Sequence, residues 1–127
     1  MKIREANYSD LEEIKDLCTR NGLKINKINQ EIWKDFPKIK EFQDTPIGWV
    51  LETDEEKIVG VLLNFFMNYT LNEKIYKAAI GSSWAVDEEY RKGGFALFDR
   101  WINQKKIDLI IDGTASERLT KILTAFK

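Results

Sequence analysis

The sequence predicts an α/β fold, an α+β arrangement in which one mixed sheet carries helices on both faces. Three observations predict it. Apolar residues recur at helical spacing in the first and last thirds of the chain. They alternate or run continuously, as in strands, in the middle third. The last third also holds a helix–strand pair after a long strand, and a strand–helix–strand order needs a parallel crossover, whereas strands joined by short turns pair antiparallel.

The elements follow in order. Lys2 to Ala6 reads as a first strand, and Ser9-Asp10-Leu11-Glu12 has the form of a capping box at a helix start. Leu11, Ile14, Leu17 and Cys18 form an apolar stripe, and Gly22 suits the end of that helix. On this stripe Cys18 is a small buried hydrophobe, not a nucleophile. Ile25, Ile28, Ile32, Trp33 and Phe36 repeat the helical period and Pro37 stops it. Lys38 to Thr45 is a connection or a short extra helix.

Ile47, Trp49 and Leu51 alternate with Gly48, Val50 and Glu52, which predicts a second strand. Ile58 to Phe66 is a strand buried on both faces, Asn68 to Lys74 a polar turn, and Ile75 to Val86 a third member of an antiparallel meander. Gly81-Ser82-Ser83 interrupts that last strand and predicts a bulge. Phe95, Phe98, Trp101 and Ile102 give a helix starting just after Gly93-Gly94, Ile107 to Ile111 a short strand, and Thr114 or Ser116 caps a last helix carrying Leu119, Ile122, Leu123 and Phe126.

Composition narrows the chemistry. The 127 residues suit one domain of the usual ~100–200 residues. With 43% hydrophobic and 32% charged residues, the chain is ordinary globular material and not disordered. Twenty Lys and Arg against 21 Asp and Glu leave a net charge of −1, which argues against nucleic acid as a partner. A single cysteine and no histidine exclude a disulfide framework, Ser-His-Asp or Cys-His catalysis and histidine-bound metals, so no metal is expected. The longest apolar run falls short of a membrane span, so the expectation is a cytoplasmic protein without a membrane partner.

The stretch Trp84-Ala85-Val86-Asp87-Glu88-Glu89-Tyr90-Arg91-Lys92-Gly93-Gly94-Phe95-Ala96 carries the chemistry. A buried strand enters a short polar loop and a helix begins at once. Glycines permit positive φ and close backbone approach, and N–H groups at a helix start point toward an anion. Arg91 and Lys92 add positive charge at the mouth. The same pattern also describes a tight strand-to-helix turn with solvated charges, with Asp87-Glu88-Glu89 as a solvated acidic turn that offsets the two cations.

Order and motif together resemble the GNAT superfamily of acyl-CoA-dependent N-acyltransferases. The family's pyrophosphate loop, Arg/Gln-x-x-Gly-x-Gly/Ala after a strand ending Val-x-x-x-Tyr-Arg, is met at Val86, Tyr90, Arg91, Gly94 and Ala96. Ile3-Arg4-Glu5-Ala6 resembles the family's opening, and Thr114-Ala115-Ser116-Glu117 with Ala125-Phe126 resembles its last helix. The resemblance implies a GNAT-like sheet, with antiparallel N-terminal strands and a parallel strand–helix–strand unit whose strands splay apart. It implies acetyl-CoA or another acyl-CoA as co-substrate. Trp84, Ala85 and Val86 would bind the pantetheine arm, and the loop from Arg91 through Lys92, Gly93, Gly94 and Phe95 to Ala96 would bind the pyrophosphate. The acyl group would pass to a small-molecule or peptide amine.

The sequence also departs from the family. Lys121 stands where many members have a tyrosine as acid. The family's last two strands are lacking after Lys127, so residues 1–127 read as a single truncated domain, and an uncovered fifth-strand edge favours a homodimer. No base announces itself. Glu52, by position, and Ser83 beside Ser82, at the expected bulge, are the candidates; a solvent-facing Glu52 and small-residue packing at the bulge are the plainer readings. Trp84 would line the acyl or acceptor pocket or serve as a core aromatic. The alternative function is a catalytically inactive GNAT-fold binding or interaction module.

Overall fold

The computed structural model describes residues 1–25 and 27–111, with the backbone alone for 27–29 and 41. The expected last helix, Asp112 and Lys121 lie outside the described residues. Within them the order is β1 (Lys2–Glu5), α1 (Leu11–Arg20), α2 (Lys27–Asp35), β2 (Gly48–Glu52), β3 (Ile58–Leu71), β4 (Lys74–Val86), α3 (Gly93–Ile102) and β5 (Leu109–Ile111). The strands form one sheet in the order β1-β2-β3-β4-β5. The first four pair antiparallel and β5 lies parallel to β4, Ala78 facing Leu109 and Ile80 facing Ile111.

Residues alternate faces along a strand, and β2 shows what that does here. Val50 joins a core with Ile14, Leu17, Trp33 and Leu63, under α1 and α2. Its neighbours Trp49 and Leu51 join a second core with Leu97, Phe98 and Trp101 of α3. Every residue of β2 is therefore buried, Glu52 included.

Local chemistry sets the element ends. The capping box begins two residues before the expected serine: Asn7 Oδ1 accepts from the Ser9 N–H, and the Asp10 carboxylate accepts from the Asn7 N–H. Asparagine outcompetes Ser9 because the chain first makes a short 3-10 turn over Tyr8–Asp10 before α1. At the other end Gly22 takes φ +81°, and the Leu23 N–H reaches back to the Cys18 carbonyl at 2.8 Å, a Schellman closure. Cys18 is buried as expected, and burial pushes its thiol up to about 11.

Pro37 does not end the second helix outright. It sits in a 3-10 turn, Phe36–Lys38, that continues from α2, where proline at the start of a turn gives up no hydrogen bond. A further 3-10 turn, Lys40–Phe42, fills part of the connection.

The largest departure is the β3–β4 hairpin. The expected turn over Asn68–Lys74 shrinks to Asn72 and Glu73, with φ of 51° and 65°. Two residues of positive φ make the mirror-image turn that matches strand twist, so pairing continues to Leu71 and Lys74. The polar Asn68 and Thr70 simply occupy one face of the extended ribbon, while Met67, Tyr69 and Leu71 alternate with them and are exposed. β5 is two residues shorter at its start than expected, because Asp108 turns aside to hold β4: its N–H donates to the Lys77 carbonyl and its carboxylate accepts the Lys77 N–H.

Asn64 breaks the apolar run of β3 and is fully buried. Its Oδ1 accepts the Trp101 indole N–H at 2.7 Å, its amide donates to the Pro46 carbonyl, and its own carbonyl accepts the Trp33 indole N–H at 2.9 Å. One residue thus joins both helical layers, through its side chain to Trp101 and its backbone carbonyl to Trp33. A buried hub of this kind is stabilising only when its partners are all met.

Candidate functional site

The site is assembled where β4 gives way to α3. The expected bulge is present. Val61 faces Ala85 while Leu63 faces Ser82, so β4 carries one extra residue there. Ser83 takes φ +54°, an uncommon conformation for a residue other than glycine. Consecutive strand residues normally point to opposite faces, yet the Ser82 and Ser83 hydroxyls approach to 3.4 Å. Among the described residues the pairing with β5 stops at Ile80, so Gly81–Val86 extend beyond it on that side.

Past Val86 the chain makes a 3-10 turn, Glu88–Tyr90, and enters α3 at Gly93. The start of α3 has no side-chain cap and no acidic residue in its first turn. The N-cap position is Lys92, which is exposed and has no partner among the described residues. Arg91 folds back, its Nε donating to the Val86 carbonyl at 2.9 Å. The Gly94 N–H turns to the Arg91 carbonyl at 3.1 Å.

Neither glycine takes the positive φ that the sequence suggests. Gly93 and Gly94 are helical, and the described glycines of positive φ are Gly22 and Gly48. Gly93 packs against Leu51, and a Cβ there would collide with Leu51 Cδ2 unless that side chain shifts. At Gly94 a Cβ would meet Val86 Cγ2 at 3.4 Å and Trp84 Nε1 at 3.8 Å, ordinary contact distances. The start of α3 therefore packs against the end of β4 with room for a Cβ at the buried Gly94.

Trp84 is half-buried and stacks on Phe98, ring centroids 5.4 Å apart and planes 22° apart. Its indole is lodged between β4 and α3 rather than hanging in solvent. Ala85 and Val86 are buried, whereas Phe95 and Ala96 face outward from the first turn of α3. The structure thus brings Trp84, Ala85, Val86, Arg91, Lys92, Gly93, Gly94, Phe95 and Ala96 to one strand-to-helix junction.

Glu52 is elsewhere in role. It is buried at the end of β2, not facing solvent, and accepts from Arg4 Nε and Nη2 at 3.1 and 2.8 Å. The same guanidinium also grips Asp10 with two hydrogen bonds. Hydrogen bonds from Arg4 hold both carboxyls below their usual range. A carboxylate held so is a weaker base than a free one. Leu51 and Val86 both lie opposite Gly60, so Glu52 stands two strands from the β4–α3 junction.

Asp87 corrects another expectation. It is not a solvated turn residue. Arg20 holds it by two hydrogen bonds, Nε to Oδ1 at 2.9 Å and Nη2 to Oδ2 at 2.7 Å, and the Asn21 amide adds a third at 2.8 Å. The Arg20 bonds keep the Asp87 carboxyl below its usual range. The acidic member nearest the strand is thus matched by α1, not by Arg91 or Lys92. Sequence reasoning missed Arg20, since nothing local links residues so far apart; its place in the last turn of α1 was the sole hint. Among the described residues no group of three metal-ligating side chains occurs, and no helix is long and apolar enough to cross a membrane.

The sequence matches no protein-family model and no curated protein. Solved structures do match. The glucosamine-6-phosphate N-acetyltransferase of Arabidopsis thaliana superposes with a TM-score of 0.70 at 18% identity, over 99% of this chain and 90% of that one. A predicted acetyltransferase of Clostridium acetobutylicum, solved with acetyl-CoA, gives 0.68 at 19% identity, over 98% and 87%. The aminoglycoside 6'-N-acetyltransferase of Acinetobacter baumannii gives 0.61 at 14% identity, over 98% and 85%. Bulged β4, the glycine-led start of α3, the parallel β5 and these superpositions together give the chain the fold of the GNAT acetyltransferases.

Proposed function

We propose that this chain binds an acyl-CoA, acetyl-CoA in the first instance, and transfers the acyl group to an amine of a small molecule or peptide. The observation that carries the reading is the start of α3, which has no side-chain cap and no acid in its first turn and lies beside the end of β4, with Gly94 against Val86 and Trp84. N–H groups of the first turn, with the helix dipole, suit a pyrophosphate. Lys92 adds charge from the N-cap position, and Arg91 stands beside it. The β4 backbone at Trp84, Ala85 and Val86 suits a pantetheine arm, which carries amide groups and lies along a strand edge as an added strand would.

With the thioester beside the bulge, the amine nitrogen attacks its carbonyl carbon. A backbone N–H near Val86 stabilises the oxyanion, and collapse expels the CoA thiolate. The nitrogen's proton leaves to water, or to a group that the Ser83 hydroxyl orients. Glu52, the carboxylate that the sequence offers for this role, is committed to Arg4. That commitment favours a second reading, a binding module that holds the cofactor without turnover.

Calorimetric titration with acetyl-CoA, against CoA and ATP, tests the first step. Saturable one-to-one binding, tighter than ATP, is expected; no binding by the folded chain overturns the reading. Release of free CoA thiol in the presence of amines then separates the two readings. Binding without release across aminosugars, polyamines and lysine peptides selects the binding module.

A further inference from the structure

We propose that Arg20, at the C-terminal end of α1, is a positioning residue for the cofactor site. It holds the loop between β4 and α3 in place and neutralises the acid nearest to it. This rests on the reading of the α3 start as an acyl-CoA pyrophosphate site.

The geometry is a latch. Arg20 Nη2 donates both to Asp87 Oδ2 and, at 3.2 Å, to the Ile58 carbonyl at the start of β3. Asn21 donates to Asp87 Oδ1 while its own amide is steadied by the Leu17 carbonyl at 2.9 Å. The Asp87 N–H in turn bonds the Val59 carbonyl at 2.8 Å, and its carbonyl accepts the Tyr90 N–H at 2.8 Å. Asp87 is therefore fixed through both carboxylate oxygens and both backbone groups. The turn that leads into Arg91 and Gly93 starts from this fixed point. A planar guanidinium with two donors to one carboxylate defines orientation in a way a single point charge does not.

The latch also settles the charge. Asp87, Glu88 and Glu89 precede the site, and an unmatched carboxylate there would repel a pyrophosphate. Arg20 cancels the innermost of the three. Glu88 and Glu89 are exposed, where water and salt screen them. Arg20 thus acts on the ligand without touching it.

The test is calorimetric affinity for acetyl-CoA in wild type, Arg20→Ala, Arg20→Lys and the double variant Arg20→Ala with Asp87→Asn, each with a thermal melt. Arg20→Ala is expected to weaken binding about tenfold. Arg20→Lys keeps the charge, loses the two-pronged geometry and falls between. Removing the Asp87 charge in the Arg20→Ala background restores affinity to within about threefold of wild type, a rescue that general loosening of the fold would not give. Should Arg20→Ala not fold, Arg20→Lys against its own double variant with Asp87→Asn gives the same comparison. Unchanged affinity in folded Arg20→Ala and Arg20→Lys overturns the positioning role, and a double variant no better than the single overturns the charge-cancelling part of it. Absence of binding by the wild type overturns instead the acyl-CoA reading, and this proposal with it.

Discussion

The starts of α1 and α3 are prepared differently. Neither has a side-chain cap at its own N-cap residue, but the 3-10 turn that leads into α1 is closed by the Asn7 and Asp10 capping box, and Glu12 and Glu13 in the first turn of α1 answer the helix dipole. Asp10 is further held by Arg4. At α3 there is no side-chain cap, no acid in the first turn, and lysine at the N-cap. Side chains thus close the approach to α1 and supply its acids, whereas at α3 the backbone answers, the Gly94 N–H meeting the Arg91 carbonyl. Helix starts without side-chain caps or acids are suited to anions from outside. The difference teaches where to look for a ligand.

The comparison breaks most visibly at Gly94. Gly94→Glu gives α3 its missing acid, and the Cβ fits at 3.4 Å from Val86 Cγ2. Acetyl-CoA affinity should fall by about 100-fold or more in a chain that still folds, as a thermal melt checks. Wild-type affinity in that variant, measured by calorimetry, would sink the site assignment. Gly93→Val is next. Its side chain collides with Leu51, so a loss of about 2 kcal/mol in denaturant unfolding is expected, and a neutral result would mean that Leu51 moves freely.

At the finished start, Asn7→Ala should cost about 1 kcal/mol of stability and leave acetyl-CoA affinity unchanged. A change in affinity would show that the two starts are coupled. The smallest effect is on acid sensitivity. The Asp10 carboxyl lies below its usual range because Arg4 bonds it, so its contribution is fully present above the unfolded value of ~3.9 and is lost as the pH falls through the folded one. Urea melts at neutral pH and below pH ~4 should therefore show a smaller fall in Asp10→Asn than in wild type. An equal fall would assign the acid sensitivity to Glu52 and Asp87.

Much of the fold was legible because it rests on local pattern. The stripe of α1, the alternation of β2, the glycine end of α1 and the bulge in β4 each have short-range causes, and each lies where the sequence placed it. The ends of β3 and β4 were misjudged because Asn68 and Thr70 were read as turn residues, when a two-residue turn at Asn72 and Glu73 lets them sit on a ribbon face. At the β4–α3 junction the strand and the helix are legible in the sequence, but the packing reason for Gly93 is not. Gly93 answers to Leu51, a contact invisible until the strand and helix are packed.

By itself the sequence determined which segments are helices and strands, and that positive charge and glycine coincide at the start of α3. Periodicity and turn chemistry act over a few residues and need no tertiary partner. Only the tertiary structure decided which charges meet. Glu52 found Arg4 on the neighbouring strand and Asp87 found Arg20 on α1, while Lys92 found no partner among the described residues. Charge pairing depends on distance in space, and distance in space is what folding creates.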